Sequence, residues 1–239
     1  QADAAEPTTA KNRDDLTELP LITIDPADAR DHDDACCAIL DDDPANPGGF
    51  LLWVAIADVA HYVTPGSALD AEARRRGNST YFPDRVVPML PDRLSGDLCS
   101  LHEGVTRPCI AVEMKLSATG EKLSHRFLRG MMRSPASLSY EEAQTAIDGN
   151  PSERAAPLVD SVLTPLFAAY DALKIARERR QPLELDLPER KIMLSDAGKV
   201  ASINFSDRLD AHRLIEECMV LANVAAAETL IAKQQPLLF

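Results

Sequence analysis

Residues 23–35 read T-I-D-P-A-D-A-R-D-H-D-D-A, and this stretch places five aspartates within ten residues. Apolar residues rich in β-branched side chains precede it and a second apolar run follows, so the pattern predicts two short strands joined by an acidic loop. A strand end can direct several carboxylates at one point, and hard oxygen ligands at this density suit Mg²⁺ or Mn²⁺ rather than zinc. The alternative is a solvated acidic turn.

The excess of negative charge is local. Residues 1–43 hold thirteen Asp and Glu against three Lys and Arg, whereas the whole chain has a net charge of −13. That total argues against a polyanionic ligand. A dense carboxylate cluster is electrostatically unfavourable unless cations or protons neutralise it, so the local charge favours a metal site. An EF-hand is excluded, because the fifth and sixth positions counted from Asp31 are Ala35 and Cys36.

Composition predicts one soluble domain, since 45% of the 239 residues are hydrophobic and 26% are charged. The longest apolar run, Phe50–Val59, is too short to cross a bilayer, and the acidic start does not resemble a signal peptide, so we expect no membrane association. Five cysteines without a C-x-x-C pair indicate reduced thiols and a cytoplasmic location.

Strands dominate the first third of the predicted fold. We expect residues 1–19 to form a flexible lead-in and residues 20–239 to form the folded domain. The fold class predicted is α+β, with a mostly antiparallel sheet core flanked by helices. The predicted strands are Leu21–Ile24, Ala35–Leu40, Phe50–Val59, a hairpin over 110–116 and 123–131, and a second hairpin around 196–199.

Capping and breaking residues predict the helices. A helix begins at Ser67 and ends at Gly77, and Ser139 with Glu142 opens another. A long helical stretch over 152–180 is interrupted or kinked at Pro165. The last helix runs from about residue 208 to 233 with one buried apolar stripe.

Further motifs follow the aspartate loop in a fixed order. They are W-V-A-I-A-D-V-A-H-Y-V (53–63), R-R-R-G-N-S-T-Y-F-P (74–83), V-P-M-L-P (87–91), L-S-G-D-L-C-S-L (94–101) and H-R-L-I-E-E-C-M-V-L-A-N (212–223). With T-I-D-P-A-D-A-R-D-H-D-D-A they resemble the RNB catalytic domain of the ribonuclease II/ribonuclease R family, over roughly residues 16–239. Such a colinear match over most of the chain is specific.

The resemblance implies a 3′→5′ exoribonuclease that hydrolyses RNA to 5′-nucleoside monophosphates with two Mg²⁺ ions. Asp25, Asp31, Asp33 and Asp34 match the family's metal-binding aspartates, with Asp31 and Asp33 as the catalytic pair and Asp28 as a structural residue. Tyr81 and Tyr140 match tyrosines that contact the 3′-terminal nucleotides, and Glu216 matches a glutamate that touches the ribose. Without the resemblance, each tyrosine would be interpreted as a packed side chain and Glu216 as a solvated one.

Two positions depart from the family pattern. His32 stands where the family commonly has Phe, which predicts altered packing beneath the site rather than altered ligation. Leu185 stands near a position where some members carry a base-stacking Phe, so the resemblance does not supply one side of that base clamp. The arginines at 74–76, 85 and 93 are candidates for phosphate contacts or for simple helix-end and surface charges.

The resemblance also implies further parts. The apolar ending at 236–239 predicts a truncated catalytic domain, lacking a T-S-P-I-R-R-Y-like segment and the flanking OB-fold RNA-binding domains. We therefore expect the 239 residues alone to bind single-stranded RNA 3′ ends weakly and to degrade them slowly. A catalytically silent RNA-binding module with the same fold, and a two-metal phosphatase or DNA nuclease, are the alternatives.

Overall fold

A five-stranded sheet organises the molecule. The computed structural model describes residues 2–181, 189–195, 198–206 and 208–237. The strands are β1 (Asp14–Asp15), β2 (Thr23–Asp25), β3 (Asp34–Leu40), β4 (Phe50–Ala57), β5 (Thr80–Tyr81), β6 (Val86–Val87), β7 (Thr106–Leu116), β8 (Lys122–Arg133), β9 (Ser137–Ser139), β10 (Glu189–Leu194) and β11 (Val200–Ser206). The helices are α1 (Val59–Tyr62), α2 (Ala68–Arg76), α3 (Tyr140–Ile147), α4 (Thr164–Arg180) and α5 (Asp210–Ala232).

The main sheet has the strand order β1-β8-β7-β4-β3, and all its pairs except β1 with β8 are antiparallel. Helices flank it, which confirms the predicted α+β class with a mostly antiparallel sheet. Three two-stranded sheets accompany it: β2 with β9 in parallel, β5 with β6, and β10 with β11. Within the described residues, no helix is long and apolar enough to cross a membrane.

Both faces of the main sheet are buried, which explains the uninterrupted apolar run in β4. Leu52 and Val54 face the helical layer formed by α3, α4 and α5. Trp53 and Ala55 point to the other face, where they pack with residues of the 90–101 segment. A strand covered on both sides needs apolar residues at every position, so alternation disappears from the sequence.

The predicted helix boundaries hold where capping residues define them. The Ser67 side chain accepts the Asp70 amide at the start of α2, and Gly77 ends that helix with φ 81°. Ser139 and Glu142 form both hydrogen bonds of a capping box at α3. The stripe on α5, with Leu214, Cys218, Leu221 and Ala225, is buried as predicted.

The stretch over 152–180 is interrupted just before Pro165 rather than kinked there, which is one of the two predicted alternatives. A 3-10 turn at Ala156–Leu158 and a π turn at Val159–Leu163 precede α4. Pro165 lies in the first turn of α4. A proline there needs no N–H partner, so it starts the helix rather than bending it.

The ordered fold also begins earlier than the predicted boundary after Pro20. Asp14 and Asp15 pair with Gly130 and Met131 as β1, and Leu16 is buried. This pairing uses backbone groups alone, so side-chain periodicity gave no sign of it. The predicted hairpin around 196–199 is formed by β10 and β11, although Asp196 and Ala197 lie outside the described residues.

All five cysteines are free and buried, which agrees with the prediction of reduced thiols. Burial raises the pKa of Cys37, Cys99 and Cys109 to about 12, so these thiols stay protonated at neutral pH.

Candidate active site

The aspartate loop, residues 26–33, connects the end of β2 to the start of β3. Asp25 closes β2 opposite Ser139 of β9, and Asp34 opens β3 opposite Ile56 of β4. Ile22 and Ile24 are buried on either side of Thr23 and anchor β2 in the core. Asp25 and Asp34 are therefore held by two separate strand pairs, and the loop between them is fixed at both ends.

The 100–101 segment and β4 hold the middle of the aspartate loop. The Ser100 hydroxyl donates to the Arg30 carbonyl at 3.0 Å and accepts from the His32 amide at 3.0 Å. The Leu101 amide donates to the His32 carbonyl at 2.9 Å, and the Ala57 amide donates to the Asp33 carbonyl at 2.9 Å. These four bonds satisfy loop polar groups and restrict the directions in which the aspartates can point.

The loop borders a cleft of about 880 Å³. Three of the four predicted metal ligands, Asp25, Asp31 and Asp33, line this cleft together with Tyr81. The remaining lining residues come from the aspartate loop, the segment 79–88 and the segment 92–96: Pro26, Asp28, Ala29, Arg30, Ser79, Asp84, Arg85, Val86, Pro88, Asp92, Ser95 and Gly96. The structure thus places three of the four predicted ligands on the walls of one cleft.

Asp34 lies behind this cleft rather than on its wall. Its Oδ2 atom is buried and has no hydrogen-bond partner among the residues that the structure describes. Burial, then the charges of Asp25 and Asp33, raise the pKa of Asp34 to about 7, although His32 acts in the opposite direction. Partial desolvation and the charges of Asp31 and Asp25 likewise raise the pKa of Asp33. Each carboxylate makes ionisation of its neighbours less favourable, so the group has a deficit of positive charge.

His32 contacts a predicted metal ligand directly. Its Nδ1 atom lies 2.7 Å from Oδ2 of Asp25, and both side chains are 14% exposed. This hydrogen bond raises the pKa of His32 above its usual value against the effect of burial. The expectation that His32 changes packing alone is therefore incomplete, because a phenylalanine could not make this bond to Asp25.

Tyr81 is 66% exposed, so it is not a core residue. Its hydroxyl donates to Oδ2 of Asp31 at 3.2 Å, which holds the ring beside the carboxylates. Tyr140 is half-buried and does not line the cleft; its ring stacks on His212 with centroids 4.0 Å apart. Burial, then the charges of Asp25 and Asp34, raise the pKa of Tyr140 to about 12, so it lies within electrostatic reach of the aspartates.

Glu216 is outside the cleft, on α5 one turn beyond His212. It forms an ion pair with Arg208, and Arg177 lies 4.0 Å from its Oε1 atom. Its neighbour Glu217 is buried, and Arg177 at 2.6 Å and Arg180 at 3.3 Å reach it from α4. The predicted base-clamp position Leu185 lies outside the described residues.

Of the arginines considered from sequence, only Arg85 lines the cleft. Arg74, Arg75, Arg76 and Arg93 pair with carboxylates of their own helical turns. A second arginine, Arg30, also lines it and was missed, although it lies inside the aspartate motif. Its position in the sequence between Asp28 and Asp31 could have indicated it, because a basic side chain there lies close to the carboxylates.

By donor type and charge, the four aspartates fit a hard divalent cation such as Mg²⁺. The unpartnered Oδ2 atom of Asp34 is an acceptor that such an ion would satisfy. Across the described ranges, however, no three His, Cys, Asp or Glu side chains are gathered closely enough to hold a metal ion. Asp25 is bonded to His32 and Asp31 to Tyr81, so ligation by all four requires these side chains to turn.

Comparison with known proteins identifies the family. The model of the RNB domain family matches residues 13–239. Ribonuclease R of Vibrio parahaemolyticus is 47% identical and that of Escherichia coli 43% identical, each over 98% of this chain and 28% of the relative. The solved structure of Mycoplasma genitalium RNase R in complex with ribose methylated single-stranded RNA matches with a TM-score of 0.90 and 31% identity, covering 98% of this chain and 36% of that one. The chain thus spans less than a third of the length of these two ribonuclease R relatives.

Proposed function

The chain belongs to the RNB domain family, and we propose that its aspartate cleft is the hydrolytic site of a 3′→5′ exoribonuclease that releases 5′-nucleoside monophosphates. One observation carries this proposal: Asp25, Asp31 and Asp33 line the same cleft as Tyr81, whose hydroxyl bonds Asp31. A group that can hold cations and a ring that can stack on a base therefore border one space.

In this proposal the four aspartates would hold two Mg²⁺ ions, with Mn²⁺ as a substitute. The ions would supply activation of a water molecule and charge stabilisation of the departing 3′-oxygen. Asp34 would contribute an oxygen that has no hydrogen-bond partner within the described ranges, and Asp33 would contribute one on the cleft wall. Positive charge would also offset the burial and the mutual repulsion that raise the pKa of Asp33 and Asp34.

Tyr81 would position the 3′-terminal nucleotide. An aromatic ring stacks on any base, so the contact does not select a sequence, as a degradative enzyme requires. The bond from its hydroxyl to Asp31 keeps the ring at the edge of the aspartate group, where the last phosphodiester would lie.

Tyr140 and Glu216 would act on the same end of the RNA from beyond the cleft wall. Tyr140 already stacks on His212, so a base could use only its other face. Glu216 pairs with Arg208 at a partly exposed position, and such a pair opens at little cost. A freed carboxylate could accept from a ribose 2′-hydroxyl, which distinguishes RNA from DNA.

The partner we propose is the 3′ end of single-stranded RNA, with OB-fold domains elsewhere in the whole protein adding basic surface. Because the chain corresponds to 28% of its relatives' length, we expect residues 1–239 alone to degrade RNA slowly. Incubating this segment and the whole protein with labelled RNA and Mg²⁺ tests that expectation; equal rates would contradict it. Free, buried cysteines are compatible with the cytoplasm as the proposed location.

Asp33→Asn tests the site itself, with Asp42→Asn at an exposed position outside the cleft as the matched control. In the whole protein, single-turnover hydrolysis by Asp33→Asn should fall about 100-fold or more, since even outer partners of a metal site are worth 10–100-fold. RNA affinity measured in EDTA should change far less. Unchanged hydrolysis would remove this cleft from consideration as the active site.

The alternatives give different results in the same assay. A silent RNA-binding module would bind RNA and release no nucleotide even without substitutions. A phosphatase or DNA nuclease would act on a phosphomonoester or on DNA as readily as on RNA. Parallel reactions with the three substrates separate these functions.

A further inference from the structure

The cleft has few basic side chains for a site that would bind RNA. Six carboxylates line it: Asp25, Asp28, Asp31, Asp33, Asp84 and Asp92. Among the residues that the structure describes, the lining side chains that carry positive charge are Arg30 and Arg85, with no lysine. Phosphate groups of a nucleic acid are held chiefly by Arg and Lys, so these two arginines are the available contacts on the walls.

Arg30 is an unusual cation in this setting. Asp28 and Asp31 lie close to it in the sequence, yet no described carboxylate forms an ion pair with its guanidinium. Its backbone is held by the Ser100 hydroxyl at 3.0 Å, while the residue itself is exposed. The side chain is thus attached to a fixed point, lines the cleft and has donors left for an external anion.

Arg85 belongs to the turn that joins β5 to β6, on the same hairpin as Tyr81. Its guanidinium lies 4.9 Å from the centroid of the Phe82 ring, a cation–π contact that limits where the group can point. Its ion pair with the adjacent Asp84 is 63% and 52% exposed, so water screens it and it is easily exchanged for another anion.

Other arginines around the cleft are engaged more fully. Arg76 bonds both Glu72 and the Pro88 carbonyl, and Arg93 bonds Asp97 and the Ala5 carbonyl. Arg74 pairs with Asp70 at 3.1 Å on the surface of α2 and does not line the cleft. These side chains stabilise local structure, which separates them from Arg30 and Arg85.

We propose that Arg30 and Arg85 are the residues of this chain that hold RNA phosphates in the cleft. Arg30, on the aspartate loop, binds the phosphate next to the carboxylates, and Arg85 binds a second phosphate on the 5′ side of it. The guanidinium forks suit two phosphate oxygens at once. This inference rests on the proposed function, since it assigns the substrate's backbone to the same cleft.

The test measures RNA binding without catalysis. The whole protein and its Arg30→Gln, Arg85→Gln and Arg74→Gln variants are titrated with a fluorescent single-stranded oligoribonucleotide in EDTA, over a series of salt concentrations. At low salt Arg30→Gln and Arg85→Gln should each weaken binding by about 10-fold, as expected for a lost charge-assisted hydrogen bond. Each should also reduce the slope of log affinity against log salt by about 0.7, the value for one phosphate contact on a single strand. Arg74→Gln, the matched control, should change neither quantity.

Arg30→Lys distinguishes a phosphate contact from a structural role. It should keep the salt slope of the parent while recovering part of the affinity, because Lys carries the charge without the planar fork. If Arg30→Gln and Arg85→Gln keep both the affinity and the slope, the assignment is wrong, even when Asp33→Asn has lost hydrolysis and the proposed function stands. If they lose affinity while Asp33→Asn hydrolyses normally, the arginines hold RNA but the cleft is not the hydrolytic site.

Discussion

Removing the carboxylate of Asp58 should destabilise the protein strongly. Asp58 follows β4 and is buried, with its side chain 1% exposed. Its Oδ2 atom accepts from Arg13 at 2.6 Å and from Arg129 at 2.8 Å. Arg13 is itself 5% exposed, whereas Arg129 is 57% exposed, so truncation of Asp58 leaves one guanidinium buried without its partner.

The expected loss of unfolding free energy depends on which arginine stays buried without the Asp58 carboxylate. Breaking a buried ion pair by removing one partner costs about 3–5 kcal/mol, and the exposed Arg129 should add little because water can replace its partner. We therefore expect Asp58→Ala to lose about 3 kcal/mol of unfolding free energy. At this chain length such a loss lowers Tm by about 6–12 °C.

Urea denaturation of the parent, Asp58→Ala, Arg13→Met and the double variant measures this directly, with exposed Asp42→Ala as control. The coupling free energy between Asp58 and Arg13 should exceed about 1.5 kcal/mol. A loss below about 1 kcal/mol, or additive single effects, would refute the argument that this pair fastens the first strand to the sheet.

The stability that Asp58 contributes should depend on pH in a defined direction. Burial raises the pKa of Asp58, but hydrogen bonds from Arg129 and Arg13 outweigh it and hold the pKa below its usual value. A carboxyl whose pKa is lowered by folding contributes its stability above the unfolded pKa of about 3.9. The difference between parent and Asp58→Ala should thus be full at neutral pH and shrink only as the pH falls through the lower, folded value.

Three further predictions concern the cleft, the packing and the thiols. Tyr81→Ala should weaken RNA binding by about 1–3 kcal/mol in a fluorescence titration. It should leave Tm nearly unchanged, because the ring is 66% exposed. A large drop in Tm with normal binding would mean that Tyr81 has a structural role instead. Gly120→Ala should lower the unfolding free energy measured in urea by about 2–4 kcal/mol, because φ is +76° and the new Cβ would meet the Ala172 carbonyl oxygen at 2.2 Å. Gly149→Ala is the control, since it has only the strain of φ +92°. Equal losses in the two variants would contradict the clash. Native protein at pH 8 should react slowly with a thiol reagent and show five thiols once unfolded, since every cysteine is buried; rapid native reaction would contradict that burial.

Local signals carried much of the fold. The serine caps of α2 and α3, the glycine after α2 and the alternation in β7 and β8 are each encoded within a few residues, and the structure has them in the predicted places. β1 was missed because its two residues pair through backbone groups. The sequence left open whether Pro165 interrupts or kinks the helical stretch, because a proline permits both and packing decides between them.

The sequence indicated which aspartates lie at the cleft, but it did not indicate which side chains they contact. Spacing and resemblance predicted the aspartates, three of which share the cleft. Contacts between side chains depend on directions that spacing does not encode, such as the bond from His32 to Asp25. The burial of Glu217 could not be predicted either, because the arginines that reach it come from α4, some forty residues away.

The pairing of β2 with β9 has a consequence for synthesis of the protein. Thr23 lies beside Ser137, so the strand that fixes Asp25 waits for a partner made more than a hundred residues later. At ribosomal rates of 5–20 residues per second the delay is roughly 6 to 20 seconds. During that interval the nascent chain carries the aspartates without the frame that aligns them. The strand pair that holds Asp25 can therefore form only after Ser139 has been translated.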